Sequence, residues 1–256
     1  MLAQPHSPEA WQQATHQAAQ ACVGWLPLQA ELLPRVDSTN SVLLERARTG
    51  HAPATLLVAY HQQAGRGRGQ RLWHSEPGRH LTFSLGLPLQ PVSWSGLSLA
   101  VGVALAEQLP PQVQVKWPND LWVNDAKLGG VLIESVQRGE HAYCVVGVGI
   151  NGASAPHLPN QATTCLQALA PEHAPATWLP RLVPAVVRTL LHFLSDNFAP
   201  WVPRFAARDA LSGRQVWLSD GRQGRAEGVN EQGALQLRLP QGLTEIVTEE
   251  VSVRPC

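Results

Sequence analysis

The sequence predicts an α+β fold: a mixed β-sheet backed by helices and followed by a small β-barrel. Three observations carry this prediction. Apolar runs of strand length recur between Leu28 and Ile150 with few helical patterns among them, which indicates a mixed sheet rather than a series of βαβ crossovers. A long amphipathic pattern spans Trp178 to Asn197, with Leu182, Val186, Leu190 and Phe193 on one helical face. From Leu211 the chain turns to short alternating strands punctuated by Asp220-Gly221, Glu231-Gln232-Gly233 and Gln241-Gly242. Five strands in the last ~45 residues make a small barrel.

The elements follow in order. Residues 8 to 22 are rich in Ala and Gln, and Ser7 as N-cap with Pro8 in the first turn marks a helix start. Leu28 to Val36 reads as a strand. Asp37-Ser38-Thr39-Asn40 opens a helix that Gly50 closes. Leu56 to Tyr60 and Leu81 to Leu87 are strands on either side of a Gly/Arg loop, and Trp94 to Leu109 is a core helix stopped by Pro110. Val113 to Lys116 is a strand ended by Trp117-Pro118. Leu121 to Val123 and Lys127 to Glu134 form a hairpin about Asn124-Asp125. Tyr143 to Ile150 is the next strand, and its Gly147 and Gly149 imply close approach of a ligand or backbone. Residues 152 to 176 carry no legible pattern. Pro180 and Pro184 delay or kink the long helix, and a shorter helix covers Phe198 to Ala207. The expected division is a unit over 1–207, with an N-terminal helical extension over 1–30, and a second unit over 208–256.

Composition bounds the function. The chain has 256 residues, 44% of them apolar and 15% charged, with a formal net charge of zero. Neutrality argues against nucleic-acid or membrane-surface binding. Cys22, Cys144, Cys165 and Cys256 are dispersed without a C-x-x-C, and the ten histidines are scattered, so neither a disulfide framework nor a metal site is expected. No signal peptide or membrane-spanning run is legible, which points to the cytoplasm.

The chemistry concentrates in two stretches. Lysine and arginine together number 19, and the only two lysines, Lys116 and Lys127, both fall within K-W-P-N-D-L-W-V-N-D-A-K-L-G-G. Arginine is a planar fork and lysine a compact point charge, so a chain that otherwise uses arginine has reason to keep lysine where one anionic oxygen must be met. About fifty residues upstream, Gln62 to Arg71 packs Gly65, Gly67 and Gly69 among Arg66, Arg68 and Arg71, with Trp73 close behind. Glycine lets backbone N–H groups approach an anion, and arginine adds bidentate donors. The loop lacks G-K-[ST] and any G-x-G-x-x-G register, so it is neither a Walker loop nor a dinucleotide fingerprint.

Taken together these stretches resemble the biotin–protein ligases. Ser38-Thr39-Asn40, the Q-Q-A-G-R-G-R run from Gln62 to Arg68, and Lys116-Trp117-Pro118-Asn119-Asp120 stand in that family's order and at about its spacing. So do Lys127-Leu128-Gly129-Gly130, Gly147-Val148-Gly149-Ile150-Asn151 and the C-terminal Val251-Ser252-Val253-Arg254. The resemblance covers about residue 34 to the C-terminus. It implies a class II synthetase-like catalytic domain with an SH3-like barrel beside it. It also implies a ligase that activates biotin with ATP as biotinyl-5′-AMP and passes it to a lysine of a carrier.

By the same resemblance, Lys127, Arg66 and Arg68 are the catalytic candidates. Ser38, Thr39, Asn40, Gln62, Arg66, Gly67, Arg68, Lys127 and Gly130 would hold biotin. Arg68, Arg71, Trp73, Lys116, Trp117, Asn119, Lys127, Asn151 and Arg254 would hold ATP or the adenylate, with Asn151 at the adenine. Taken singly, Ser38 and Thr39 read equally as helix caps, and Trp117 as core. Mg²⁺ is expected with ATP, held mainly by its phosphates. The expected partner is the biotin carboxyl carrier protein of acetyl-CoA carboxylase or a related carboxylase, and the ligase is expected to be a monomer or homodimer. Some relatives carry an N-terminal DNA-binding domain; 37 residues before Ser38 are too few for one, so a ligase without repressor function is expected. The loop departs from the family in one respect: Gly69 precedes Gln70, where many relatives place the glycine second.

Two alternatives compete. Lipoyl and octanoyl ligases resemble the same fold but lack K-W-P-N-D. A non-catalytic biotin sensor or nucleic-acid binder would use the Arg-rich loop, and neutral charge argues against it.

Overall fold

The computed structural model describes residues 7–89, 93–138, 141–247 and 253–255. Helix α1 (Pro8–Gln20) starts where Ser7 accepts from the Ala10 N–H. Strand β1 (Gln29–Leu33) leads to helix α2 (Thr39–Arg48), capped by Ser38, and Gly50 follows it at φ 99°. Strand β2 (Thr55–Ala59) comes next, then a short ladder of β3 (Gly65–Arg66) and β4 (Leu72–Trp73). Strand β5 (His80–Leu87), helix α3 (Leu97–Gln108) and strand β6 (Gln114–Lys116) continue the chain. A hairpin of β7 (Asp120–Val123) and β8 (Ala126–Arg138) precedes β9 (His141–Asn151). Helices α4 (Leu179–Asp196) and α5 (Val202–Ala206) complete this part. Pro184 lies inside α4, and Pro180 sits in its first turn.

Seven strands form a mixed sheet in the order β1-β2-β5-β9-β8-β7-β6, with β1 and β2 parallel and the other neighbours antiparallel. Alternation sends the two faces into different surroundings. Leu56 and Val58 of β2, Leu81, Phe83 and Leu85 of β5, and Val146, Val148 and Ile150 of β9 join a large core with α1, α3 and α4. Leu57, Tyr143 and Val145 face the other way and pack under Leu43, Leu44 and Ala47 of α2. Helix α1 is part of the large core: Trp11 and Ala18 are fully buried, and α1 packs along α4 and β1.

The last part is a five-stranded antiparallel sheet of β10 (Gln215–Leu218), β11 (Gln223–Val229), β12 (Leu235–Leu239), β13 (Gly242–Ile246) and β14 (Val253–Pro255). Its order is β13-β12-β11-β10-β14. Val216, Leu218, Leu235, Leu237 and Val253 form its buried face. The Val251 and Ser252 of the C-terminal motif lie outside the described residues.

Candidate active site

The α2-side face of the large sheet turns to glycine and small polar residues where α2 begins, and there it floors a cavity of about 900 Å³. Gly147 and Gly149 of β9 are the reason the space exists. A Cβ on Gly147 would run into the Asn40 amide, and one on Gly149 would lie 2.6 Å from the Trp73 indole.

One end of the cavity is a buried hydrogen-bonding corner. Ser38, Thr39, Asn40 and Gln62 line it, each less than a tenth exposed. The Thr39 N–H and hydroxyl both donate to Gln62 Oε1, at 2.8 and 3.0 Å. Ser84 Oγ lies 2.6 Å from both Thr39 Oγ1 and Asn40 Oδ1 and can give its single proton to either. Asn40 Nδ2 donates to Glu134 Oε2 at 2.9 Å and to the Leu132 carbonyl at 3.3 Å. No group in this corner is a free charge, so it suits a neutral polar ligand with donors and acceptors of its own.

The other end gathers cations. Lys116, Arg68, Arg71, Lys127 and Arg254 all line the cavity near the carboxylate of Asp120. Lys127 Nζ donates to Asp120 Oδ1 at 2.7 Å. Lys116 is 6% exposed, with its ammonium 4.9 Å over the Trp122 ring. Burial pulls the Lys116 ammonium down to about 8; Asp120 opposes this, and Lys127, Arg71 and Arg254 add to it. Burial also lowers Arg68, again against the pull of Asp120. Cations that depress one another are stabilised by an incoming anion, so this end is built for phosphate or carboxylate.

A bulge aims Lys127. In the β7–β8 ladder Leu121 pairs with Gly129, but Trp122 pairs with Lys127, so Leu128 is an extra residue on β8. The extra residue shifts the alternation and puts Lys127 on the face of Asp120 and Gly130. The turn feeding it has Asn124 and Asp125 at φ 47° and 65°, the backbone of a two-residue I′ hairpin. The Lys127 backbone is pinned too: its N–H donates to the Ala162 carbonyl, and its carbonyl accepts from the Thr164 N–H. Asn119 turns its amide to the Val131 carbonyl at 2.7 Å and keeps its place on the cavity wall.

The Gly/Arg segment forms a hairpin arm over the cavity. Its β3 pairs with β4 through Gly65↔Trp73 and Arg66↔Leu72. Gly67 and Trp73 also line the space. At the tip both Gly69 and Gln70 are left-handed, at φ 60° and 59°. Glycine is at home there and Gln70 is not, which is the physical meaning of the inverted Gly-Gln order.

The cavity therefore brings together fourteen of the sixteen residues expected from sequence; the two exceptions are Trp117 and Asn151. Trp117 is fully buried and its Nε1 donates to the Gly233 carbonyl at 3.0 Å, so it joins the two sheets instead of touching a ligand. Asn151 is 1% exposed, and its Nδ2 donates to the carbonyls of Lys127 and Thr164 at 3.3 and 2.9 Å. It braces the Lys127 backbone from beneath. Sequence reasoning missed the wall from Pro156 to Ala162, which carries Asn160 and Gln161 into the cavity. That stretch has no periodicity; the Lys127 N–H bond to the Ala162 carbonyl and the parallel bridge of the next residue, Thr163, to Lys127 give it its place.

A fold of this kind with such a cavity has known counterparts. Residues 32–151 match the Biotin/lipoate A/B protein ligase family. The chain is 35% identical over 239 residues to the Escherichia coli bifunctional ligase/repressor BirA, covering 87% of this chain and 73% of BirA. It is 32% identical over 240 residues to the Paracoccus denitrificans biotin–[acetyl-CoA-carboxylase] ligase, covering 86% of this chain and 98% of that one. Among solved structures, the Aquifex aeolicus biotin protein ligase in complex with biotin and ATP superposes with a TM-score of 0.74 at 26% identity. That match covers 88% of this chain and 98% of the other. The chain belongs to the biotin–protein ligase family.

Proposed function

We propose that the protein is an ATP-dependent ligase that activates biotin as biotinyl-5′-AMP and transfers it to a lysine of a biotin carboxyl carrier protein. The observation that carries this is the union in one cavity of a neutral hydrogen-bonding corner and a cationic end, with Lys127 facing the latter. Biotin has the same polarity, a neutral ureido ring at one end and a carboxylate at the other. The ring would sit among Ser38, Thr39, Asn40 and Gln62, and the carboxylate would point to Lys127 and Gly130.

In the first step a carboxylate oxygen attacks the α-phosphorus of ATP, the bond to the bridging oxygen breaks, and pyrophosphate leaves. In the second, a carrier lysine attacks the acyl carbon, AMP leaves, and the amine loses its proton. Negative charge gathers on phosphate oxygens in the first transition state, where fixed donors contribute most. Lys127, Arg66 and Arg68 are the residues assigned to it. Arg71, Trp73, Lys116, Asn119 and Arg254 take the nucleotide side. Among the described residues no group of three or more His, Cys, Asp or Glu gathers to hold a metal, and Asp120 is already paired with Lys127. Mg²⁺ would be held mainly by the phosphates of ATP.

Residues 1–207 would act as the catalytic unit and 208–256 as a second unit that contributes Arg254. Biotin-dependent carboxylases would supply the carrier. Among the described residues no helix is long and apolar enough to cross a membrane. The test is pyrophosphate release from ATP with biotin, with lipoate and with neither. Release only with biotin is expected; release with lipoate alone, or with neither acid, overturns the reading.

A further inference from the structure

Glu134 has no part in the steps above, yet it joins two of the structures that surround the ligand. It lies on the cavity side of β8, in register with Val145 of β9. Its Oε2 accepts from Asn40 Nδ2 at 2.9 Å and from Arg66 Nη2 at 2.7 Å. Asn40 belongs to the buried corner at the start of α2, and Arg66 to the arm that covers the cavity. The arm is also held at its base. Gln63 and Ala64 donate to the carbonyls of Val36 and Asp37, and Trp73 lies against Gly149. Its ladder pairs Gly65 with Trp73 and Arg66 with Leu72, the Gly67 N–H donates to the Arg71 carbonyl at 2.7 Å, and its tip carries the left-handed Gly69 and Gln70. A carboxylate is therefore placed to tie the arm down from the sheet below. The pair is half-buried, with side-chain exposures of 40% for Arg66 and 25% for Glu134, so the tie is reversible and open to salt.

We propose that Glu134 is a positioning residue. It holds Arg66, and with it the Gly65–Trp73 arm, closed over the cavity, and so sets how long an enclosed acyl-adenylate is kept from solvent. Its link to Asn40 means that a ligand seated in the buried corner and a closed arm share one carboxylate. The consequence for retention rests on the ligase reading; the latch itself does not.

The test is Glu134→Gln, which keeps an acceptor for Asn40 and removes the charge. In ligand-free protein, cleavage by an arginine-specific protease at Arg68 and Arg71 is expected to rise about two- to fivefold, the range of a partly exposed ion pair. Cleavage at Arg222, in the turn between β10 and β11, serves as the reference. Raising NaCl from about 50 mM to 1 M should speed loop cleavage of the parent protein relative to the reference and leave the variant's ratio flat. With biotin and ATP the variant should release adenylate faster, read as biotin on a bystander protein per pyrophosphate formed in the first turnover. The salt comparison separates a charge latch from simple loosening, because a packing role predicts no salt dependence. Equal loop-to-reference ratios in the two proteins, or a salt response that persists in the variant, overturn the proposal. The cleavage arms use no substrate, so they judge the latch whether or not the ligase reading stands.

Discussion

Lys127 Nζ lies 2.7 Å from Asp120 Oδ1, seven residues back across the β7–β8 hairpin. Both side chains are largely buried, at 21% and 12% exposed. In the free protein the lysine's charge is thus already matched by a carboxylate. An arriving anion does not meet a bare cation; it competes with Asp120 for an oriented one. This arrangement holds the ammonium in place at no reorganisation cost at the moment of reaction.

Lys127→Arg is expected to keep the fold and lose most of the activity. Arginine can still pair with Asp120, so the thermal midpoint should stay within about 3 °C. Its planar fork cannot place one compact charge on the bulge-directed line that lysine uses. Biotin-dependent pyrophosphate release should fall about 10²–10³-fold. A loss of only a few-fold would remove Lys127 from the catalytic set.

Lys116 should make ATP binding sensitive to alkali. Burial leaves its ammonium near about 8 in the free protein, and phosphate oxygens favour the charged form, so the pKa rises on binding. Binding then takes up a proton above pH 8, and affinity drops by up to about tenfold per pH unit there. Calorimetric titration between pH 7.5 and 9.5 should show this slope. In Lys116→Met binding should be weaker at pH 7.5 and flat with pH, and an unchanged slope in the variant would assign the effect elsewhere.

Gly233→Ala tests the junction between the sheets. Gly233 stands at φ 78°, and a Cβ there would sit 2.7 Å from the Gly96 Cα, a backbone atom that cannot yield cheaply. Its carbonyl is the acceptor for buried Trp117. Backbone strain and overpacking together should cost about 2–3 kcal/mol, a drop of about 5–10 °C in midpoint. Gly242→Ala, at φ 135° with nothing within 4 Å, should cost visibly less. Equal losses would mean that backbone conformation alone matters and the contact does not.

Asp209 should make the fold less stable toward neutral pH. It is 8% exposed, its Oδ2 has no hydrogen-bond partner among the described residues, and Oδ1 accepts from the Leu211 N–H at 2.8 Å. Burial pushes the carboxyl up to about 6, against that one donor. The folded-state value lies above the unfolded one, near 4, so the protonated form is favoured by folding. Its contribution is complete below pH 4 and is lost as pH rises through 6. Two units correspond to an order of 2–3 kcal/mol. Asp209→Asn should therefore gain on the parent protein in denaturant midpoint between pH 4.5 and 7.5; parallel profiles would refute it.

What the sequence determined by itself is what local chemistry enforces. Alternation in Tyr143–Asn151 shows both a buried face and the glycines that leave room on the other. Asn124-Asp125 reads as the tight turn it is, and Ser7 and Ser38 as caps. The motif residues were also legible as a set, because each type carries its chemistry wherever it sits. Which of them face the ligand was a tertiary decision. Trp117 and Asn151 stand in the same motifs as Lys116 and Gly149, but one is spent on Gly233 and the other on the carbonyl of Lys127. The 156–162 wall, the Leu128 bulge and the Glu134 latch were invisible for a related reason. Each depends on partners between about 7 and 94 residues away, such as Asp120 from Lys127 or Asn40 from Glu134, and no periodicity along the chain encodes a contact that only folding creates.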